Sequence, residues 1–184
     1  MKKVVAVVGM AGSGKSEVAR VFEENGFTRI RFGDVTDDEL RKRGLERNEE
    51  NERKVRELLR EKHGMAAYAI LNLSRIDIAR EVSDVVIDGL YSWEEYTFLK
   101  QSCDNDFYLV AVWSSPETRY ERLSSRPNRP LTEEEAAARD KSEIENVNKG
   151  GPIAMADFII VNEFSLTDLR QETERIIARL RCRN

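Results

Sequence analysis

Cysteine and histidine are almost missing from this sequence, with two of the first and one of the second in 184 residues. Cys103 and Cys182 lie far apart and form no C-x-x-C unit, which points to a reducing cytoplasm with structural or incidental thiols. A basic excess is also lacking: 30 Lys and Arg stand against 34 Asp and Glu, a net charge of −4. That excludes a general nucleic-acid groove, so any phosphate must be held by individually placed basic residues. No run of apolar residues approaches a membrane span, and Lys2-Lys3 is followed by only the short apolar run Val4–Val8, which does not make a signal peptide. Internal repeats, low-complexity tracts and linkers are absent, so the chain reads as one domain over 1–184, long enough for a layered core.

What the chain does have is a continuous apolar run, Val4-Val5-Ala6-Val7-Val8, leading into Gly9-Met10-Ala11-Gly12-Ser13-Gly14-Lys15-Ser16. The run reads as a parallel strand covered on both faces. The eight residues after it fit G-x-x-x-x-G-K-[ST] at every fixed position. In that motif the glycines let backbone N–H groups turn inward on a polyphosphate, and the following helix presents its positive end to the same anion. Lys15 then bridges the β- and γ-phosphates of the nucleotide and Ser16 ligates Mg²⁺. The alternative is a glycine-rich turn that binds nothing, but the match stands between a strand and a helix, as the mechanism requires.

Further along, the sequence predicts strands over Phe27–Phe32, Val85–Ile87, Phe107–Trp113 and Phe158–Val161. Helices are predicted over Glu17–Glu24, Asp34–Arg43, Asn48–His63, Met65–Val82, Trp93–Lys100, Glu117–Leu123, Thr132–Val147 and Ser165–Arg181. Asn148 to Pro152 reads as a break. An all-helical insertion, about 34–82, separates the second strand from the third. Residues 124–140, opening on Ser124-Ser125-Arg126-Pro127-Asn128-Arg129-Pro130, read as a short lid. Five strands alternating with helices imply a three-layer α/β/α fold on a parallel sheet, with ligands at the carboxyl ends of the strands.

Such loops serve many reactions, so other residues must choose among them. Asn148-Lys149-Gly150-Gly151 ends in the wrong residue for the N-K-x-D guanine reader of GTPases, and a motor would need a larger core. The chain has instead an acid after each of its second and third strands, Asp34 and Asp88, and an arginine cluster near the lid. Arg122, Arg126 and Arg129 are spaced to put two guanidiniums on one helix face and a third on the loop beyond. Arginine suits a phosphate because its planar fork can hold two oxygens and stays charged. A solvated face paired with Glu117 and Glu121 is the plain alternative. Asp34 also suits a helix cap, Asp88 a turn acid, and Asn162 a turn asparagine. His63 ends a charged helix, where a cation is favourable.

The phosphate loop, Phe32-Gly33-Asp34-Val35, Val86-Ile87-Asp88-Gly89, Ser115-Pro116-Glu117-Thr118-Arg119 with Arg122 and Arg126, Arg139-Asp140 and Ala156-Asp157-Phe158-Ile159-Ile160-Val161-Asn162 come in an order that resembles the nucleoside monophosphate kinase superfamily. Within it the chain is most similar to archaeal adenylate-kinase-related proteins and to dephospho-coenzyme A kinases, over nearly its whole length. The resemblance implies the phosphate-loop NTPase fold and a cytoplasmic, Mg²⁺- and ATP-dependent kinase. It acts on small-molecule nucleotides, with an AMP-like acceptor under the insertion, as a monomer or homodimer, without nucleic acid or membrane. It implies that Gly9 to Ser16, Arg122, Arg126 and Asn162 bind ATP, that Lys15, Asp34 and Arg126 are catalytic, and that Ser16 and Asp88 hold the metal. Asp34, Arg41, Asp88 and Arg139 then bind the acceptor. Adenylate kinases, however, carry an arginine three residues after the Gly-Asp aspartate and another shortly after the strand-three Asp-Gly. Here those neighbourhoods read Asp34-Val35-Thr36-Asp37 and Asp88-Gly89-Leu90-Tyr91-Ser92. Arg41, Arg43, Arg75 and Arg80 are the candidate replacements. Dephospho-coenzyme A or another metabolite is therefore a second expected acceptor, and a non-catalytic adenine-nucleotide sensor is an alternative from another class.

Overall fold

A computed structural model describes residues 2–127 and 130–183. Its elements run β1 (Val4–Val8), α1 (Lys15–Glu24), β2 (Thr28–Arg31), α2 (Asp34–Arg43), α3 (Glu49–His63), α4 (Ala67–Val82), β3 (Val85–Asp88) and α5 (Trp93–Cys103). After a single 3₁₀ turn at Asp104–Asp106 come β4 (Phe107–Trp113), α6 (Pro116–Ser124), α7 (Glu133–Glu145), α8 (Gly150–Ala154), β5 (Phe158–Val161) and α9 (Leu166–Cys182). The five strands form one parallel sheet in the order β2-β3-β1-β4-β5. β1 lies at its centre with every residue buried, which is why its sequence is apolar throughout and does not alternate.

Val4, Ala6 and Val8 point into a core shared with Phe32, Leu40, Tyr68, Ile76, Ile87, Leu99 and Leu109, beneath α2 to α5. Val5 and Val7 point the other way, into a core with Phe22, Val112, Ile160, Leu169 and Ile177, beneath α1 and α9. The two faces make three layers. All five strands run the same way, so the loop after β1, Gly33-Asp34 after β2, Asp88 at the end of β3, Ser114 after β4 and Asn162 after β5 share one rim of the sheet.

Two local differences from the sequence reading matter. The second strand is only Thr28–Arg31, and the break expected at 148–152 contains α8. There Asn148 takes φ +52°, which turns the chain, and the helix restarts with Pro152 inside its first turn, where a missing N–H costs nothing. Arg129 lies outside the described residues.

Candidate functional site

The turn from β1 into α1 is built for close approach. Gly14 takes φ +99°, and a Cβ there would sit 2.3 Å from Asn162 Nδ2; Gly12 takes φ +80°, and its Cβ would sit 2.8 Å from the Arg119 carbonyl oxygen. Left-handed backbone in contact with neighbours leaves glycine as the residue that fits. Lys15 Nζ donates across the loop to the Met10 carbonyl at 2.8 Å. Ser13 Oγ is buried with no hydrogen-bond partner among the described residues, and α1 opens without a side-chain cap. A cradle of this kind, ending at a helix N-terminus, fits a polyphosphate tail.

The rear of the loop is held by residues from three other elements. Asn162 Nδ2 donates to the Ser13 carbonyl at 2.9 Å, and Ser114 Oγ donates to the Asn162 carbonyl at 2.7 Å. Arg122 donates to Ser114 Oγ at 3.1 Å and to the Asn162 carbonyl at 3.0 Å. Arg122 and Asn162, the residues expected at ATP, are thus tied to one another, and Asn162 to the cradle's Ser13. Arg119, which the sequence reading named within the Ser115–Arg119 motif but gave no role, is the main strut. It is 4% exposed, donates to the Ala11 carbonyl at 3.1 Å and the Ser114 carbonyl at 3.2 Å, and forks onto Asp140 at 2.9 and 2.6 Å.

In front of the loop, Ser16 Oγ lies 3.5 Å from Asp88 Oδ1. A hydroxyl and a carboxylate are hard oxygen donors, and Mg²⁺ bound through one or two protein oxygens plus substrate phosphates needs no larger cluster. The residues present therefore fit that ion. Arg29 from β2 donates to the other Asp88 oxygen, fixing the carboxylate. Asp34 opens α2 at the same rim, half-exposed and 3.2 Å from Arg31. Arg41 has a side chain 79% exposed and pairs with Asp38 at 3.2 Å. Arg43 pairs with Glu39, Arg75 with Asp38 and Arg80 with Asp106, so all four candidate replacements are engaged away from Asp88. Arg126 lies half-buried two residues past α6, and Arg139, on the exposed side of α7, donates to Glu143 at 3.2 Å.

A buried ionic cluster that the sequence reading missed adjoins the loop. Lys149, 1% exposed, donates to Glu143 Oε2 at 2.7 Å and lies 5.3 Å from the centre of the Tyr91 ring. Desolvation, and after it the Lys149 charge, brings the Lys15 ammonium down to about 7. Burial alone would raise Glu143; the Lys149 and Arg139 charges outweigh it and hold that carboxyl at about 2. Glu95, 0% exposed, accepts from the Tyr91 N–H at 2.8 Å through one oxygen, while its other oxygen, Oε1, has no hydrogen-bond partner among the described residues.

Burial raises Glu95 from 4.5 to about 7. The folded state then holds a proton that the unfolded state releases between those values, so this group's contribution to stability falls as pH climbs from 4.5 to 7 and is level above. Glu95→Gln keeps the acceptor for Tyr91 and removes the titration. Relative to the parent, its Tm is expected to rise by roughly 5–10 °C at pH 8 and to change little at pH 4.5, read by thermal melts.

A family model described as an AAA domain matches residues 5–148. A UPF0200 protein of Hyperthermus butylicus is 36% identical over 179 residues, covering 96% of this chain and 94% of its own. One of Thermococcus kodakarensis is 38% identical over 178 residues, covering 95% and 96%. Among solved structures, TT1252 from Thermus thermophilus superposes with a TM-score of 0.67 at 18% identity, covering 97% of this chain and 98% of that one. Dephospho-CoA kinase from Campylobacter jejuni gives 0.60 at 19%, covering 98% of each, and shikimate kinase from Acinetobacter baumannii gives 0.60 at 19%, covering 97% and 94%. With the phosphate loop, the parallel sheet and these matches together, the chain belongs to the UPF0200 family and has the phosphate-loop kinase fold.

Proposed function

We propose that this protein is a cytoplasmic kinase that moves the γ-phosphoryl group of ATP to a small-molecule acceptor, in the first instance an AMP-like nucleoside monophosphate. The observation that carries the reading is the cradle itself, which leaves no room for side chains at Gly12 and Gly14 and sets Lys15, Ser16 and Asp88 together at the sheet rim. Phosphoryl transfer asks for alignment and charge neutralisation. In this reading the loop amides and Lys15 hold the donor's β- and γ-phosphates, with Arg126 completing the donor side. Asp34 receives or orients the acceptor's attacking oxygen, and Arg139 attends the acceptor. Ser16 and Asp88 would hold Mg²⁺, which supplies charge neutralisation on the phosphates when bound.

A second acceptor class is favoured by a specific observation. The two arginines that clamp the acceptor phosphate in adenylate kinases have no counterpart, and Arg41, Arg43, Arg75 and Arg80 all face other partners. That supports a metabolite other than a simple nucleoside monophosphate, such as dephospho-coenzyme A. Labelled ATP with Mg²⁺ and a panel holding AMP, dephospho-coenzyme A and small hydroxy acids is expected to show transfer to one member, lost with Asp34→Asn. ATP binding without transfer to any of them, unaffected by Asp34→Asn, would replace the kinase by a nucleotide sensor.

A further inference from the structure

We propose that Lys149 is the acceptor-side cation of this site, binding an oxyanion of the acceptor, a phosphomonoester or a carboxylate, so that the physiological acceptor is an anion. The inference rests on the kinase reading above. Its first support is position. The Tyr91 hydroxyl packs against the rim, 2.9 Å from where a Cβ of Gly89 would lie and 3.8 Å from that of Gly33. These glycines adjoin Asp88 and Asp34, so Tyr91 stands between the two acids that flank the acceptor. Lys149 Nζ lies over the ring of this tyrosine, and its charge acts directly on Lys15. It therefore lies on the tyrosine beside the two acids and within electrostatic reach of the donor's lysine.

The second support is spare hydrogen-bonding capacity. An ammonium carries three N–H groups, and Lys149 Nζ donates one to Glu143. Glu95 Oε1, within electrostatic reach of Lys149, is a fully buried acceptor without a hydrogen-bond partner among the described residues, and Arg60 Nε, whose guanidinium lies 5.8 Å from the Tyr68 ring centre, is a buried donor without one among them. Tyr68 meets Tyr91 edge-on at 5.6 Å, which joins the two halves of the cluster. Such open atoms are rare in native interiors and call for a cause, of which a bound ligand is one. An oxyanion on Lys149 with a neighbouring hydroxyl or amino group on Glu95 Oε1 meets both needs.

The third support is rigidity. α8 is held by Gly151, where a Cβ would lie 2.6 Å from the Trp93 ring, and by buried Pro152. Glu143 bridges Lys149 and Arg139, so α7 and α8 present their two cations through one carboxylate.

The test measures binding and turnover with matched anionic and neutral probes, AMP against adenosine and gluconate against glucitol. The intact protein is expected to bind at least one anion about tenfold or more tighter than its neutral match. At pH 6, where Lys15 is charged with or without its neighbour, Lys149→Gln and Lys149→Met should raise the KM for that anion by about 10- to 100-fold, leave the Kd for ATP within about twofold, and leave the neutral probe unchanged; Lys149→Arg should restore most of the loss. Equal loss toward ATP and acceptor, no loss toward either, or no preference of the intact protein for an anion would each overturn the assignment. So would a failure of both Arg and Gln variants to fold, which marks a structural lysine. Lys15→Ala serves as the separate control: if it leaves ATP binding intact, the kinase reading itself has failed, whereas a Lys149 failure with ATP transfer intact removes only this inference.

Discussion

Lys15→Met is expected to abolish measurable ATP binding and to lower phosphoryl transfer by at least about 10²–10³-fold, the usual cost of removing one preorganised charge from a transferring phosphate. The size of the effect follows from the site. Lys15 spans the loop to the Met10 carbonyl and is the motif's own cation, and Lys149, a cation whose charge reaches it, is turned to Glu143. The same lysine has a pH signature. With its ammonium brought down to about 7 by desolvation and by Lys149, the charged form is present below that value and declines above it. ATP affinity is therefore expected to fall as pH rises through 7, and binding at pH 8 should take up protons, because the triphosphate favours the charged lysine. Calorimetry at pH 6 and pH 8, in buffers of different ionisation enthalpy, checks this. ATP uptake by Lys15→Met equal to that of the parent would remove the phosphate loop from the mechanism.

The parts of this site that were legible in sequence are those written in contiguous residues. Eight neighbouring positions specify the cradle, and unbroken β-branched runs specify strands whose both faces are covered. Sheet order was not legible, since the placing of β1 between β3 and β4 depends on crossovers among residues some 80 and 100 positions apart. The buried ion pairs were hidden for a related reason. Arg119 and Arg122 share a helix and a residue type, and only the tertiary fold turns one onto Asp140 and the other onto Ser114. Ser92-x-x-Glu95 has the spacing of a capping box, a signal that could have pointed to Glu95 but was not read, although its carboxylate goes to the Tyr91 N–H. Lys149 sat in a Gly-Gly-Pro neighbourhood that reads as a break, and nothing local announced that α8 would carry it inward.

Arg119→Met is expected to cost about 3–5 kcal/mol of stability, the range found when one partner of a buried ion pair is removed. The substitution leaves Asp140, buried and still accepting from the Tyr120 hydroxyl at 3.1 Å, without its guanidinium, and takes donors from the Ala11 and Ser114 carbonyls. Thermal and denaturant melts should show a Tm fall of roughly 6–20 °C. Arg41→Ala, by contrast, breaks an exposed pair with Asp38 and is expected to stay within about 0.5 kcal/mol of the parent. Converting both partners, as in Arg119→Met with Asp140→Leu, removes the orphaned charge and should recover much of the stability but not the hold on Ala11. The double variant is then expected to fold and still bind ATP more weakly than the parent. That split between recovered stability and unrecovered binding separates a strut of the phosphate loop from an ordinary core ion pair; full recovery of both would show that Arg119 does no more than neutralise Asp140.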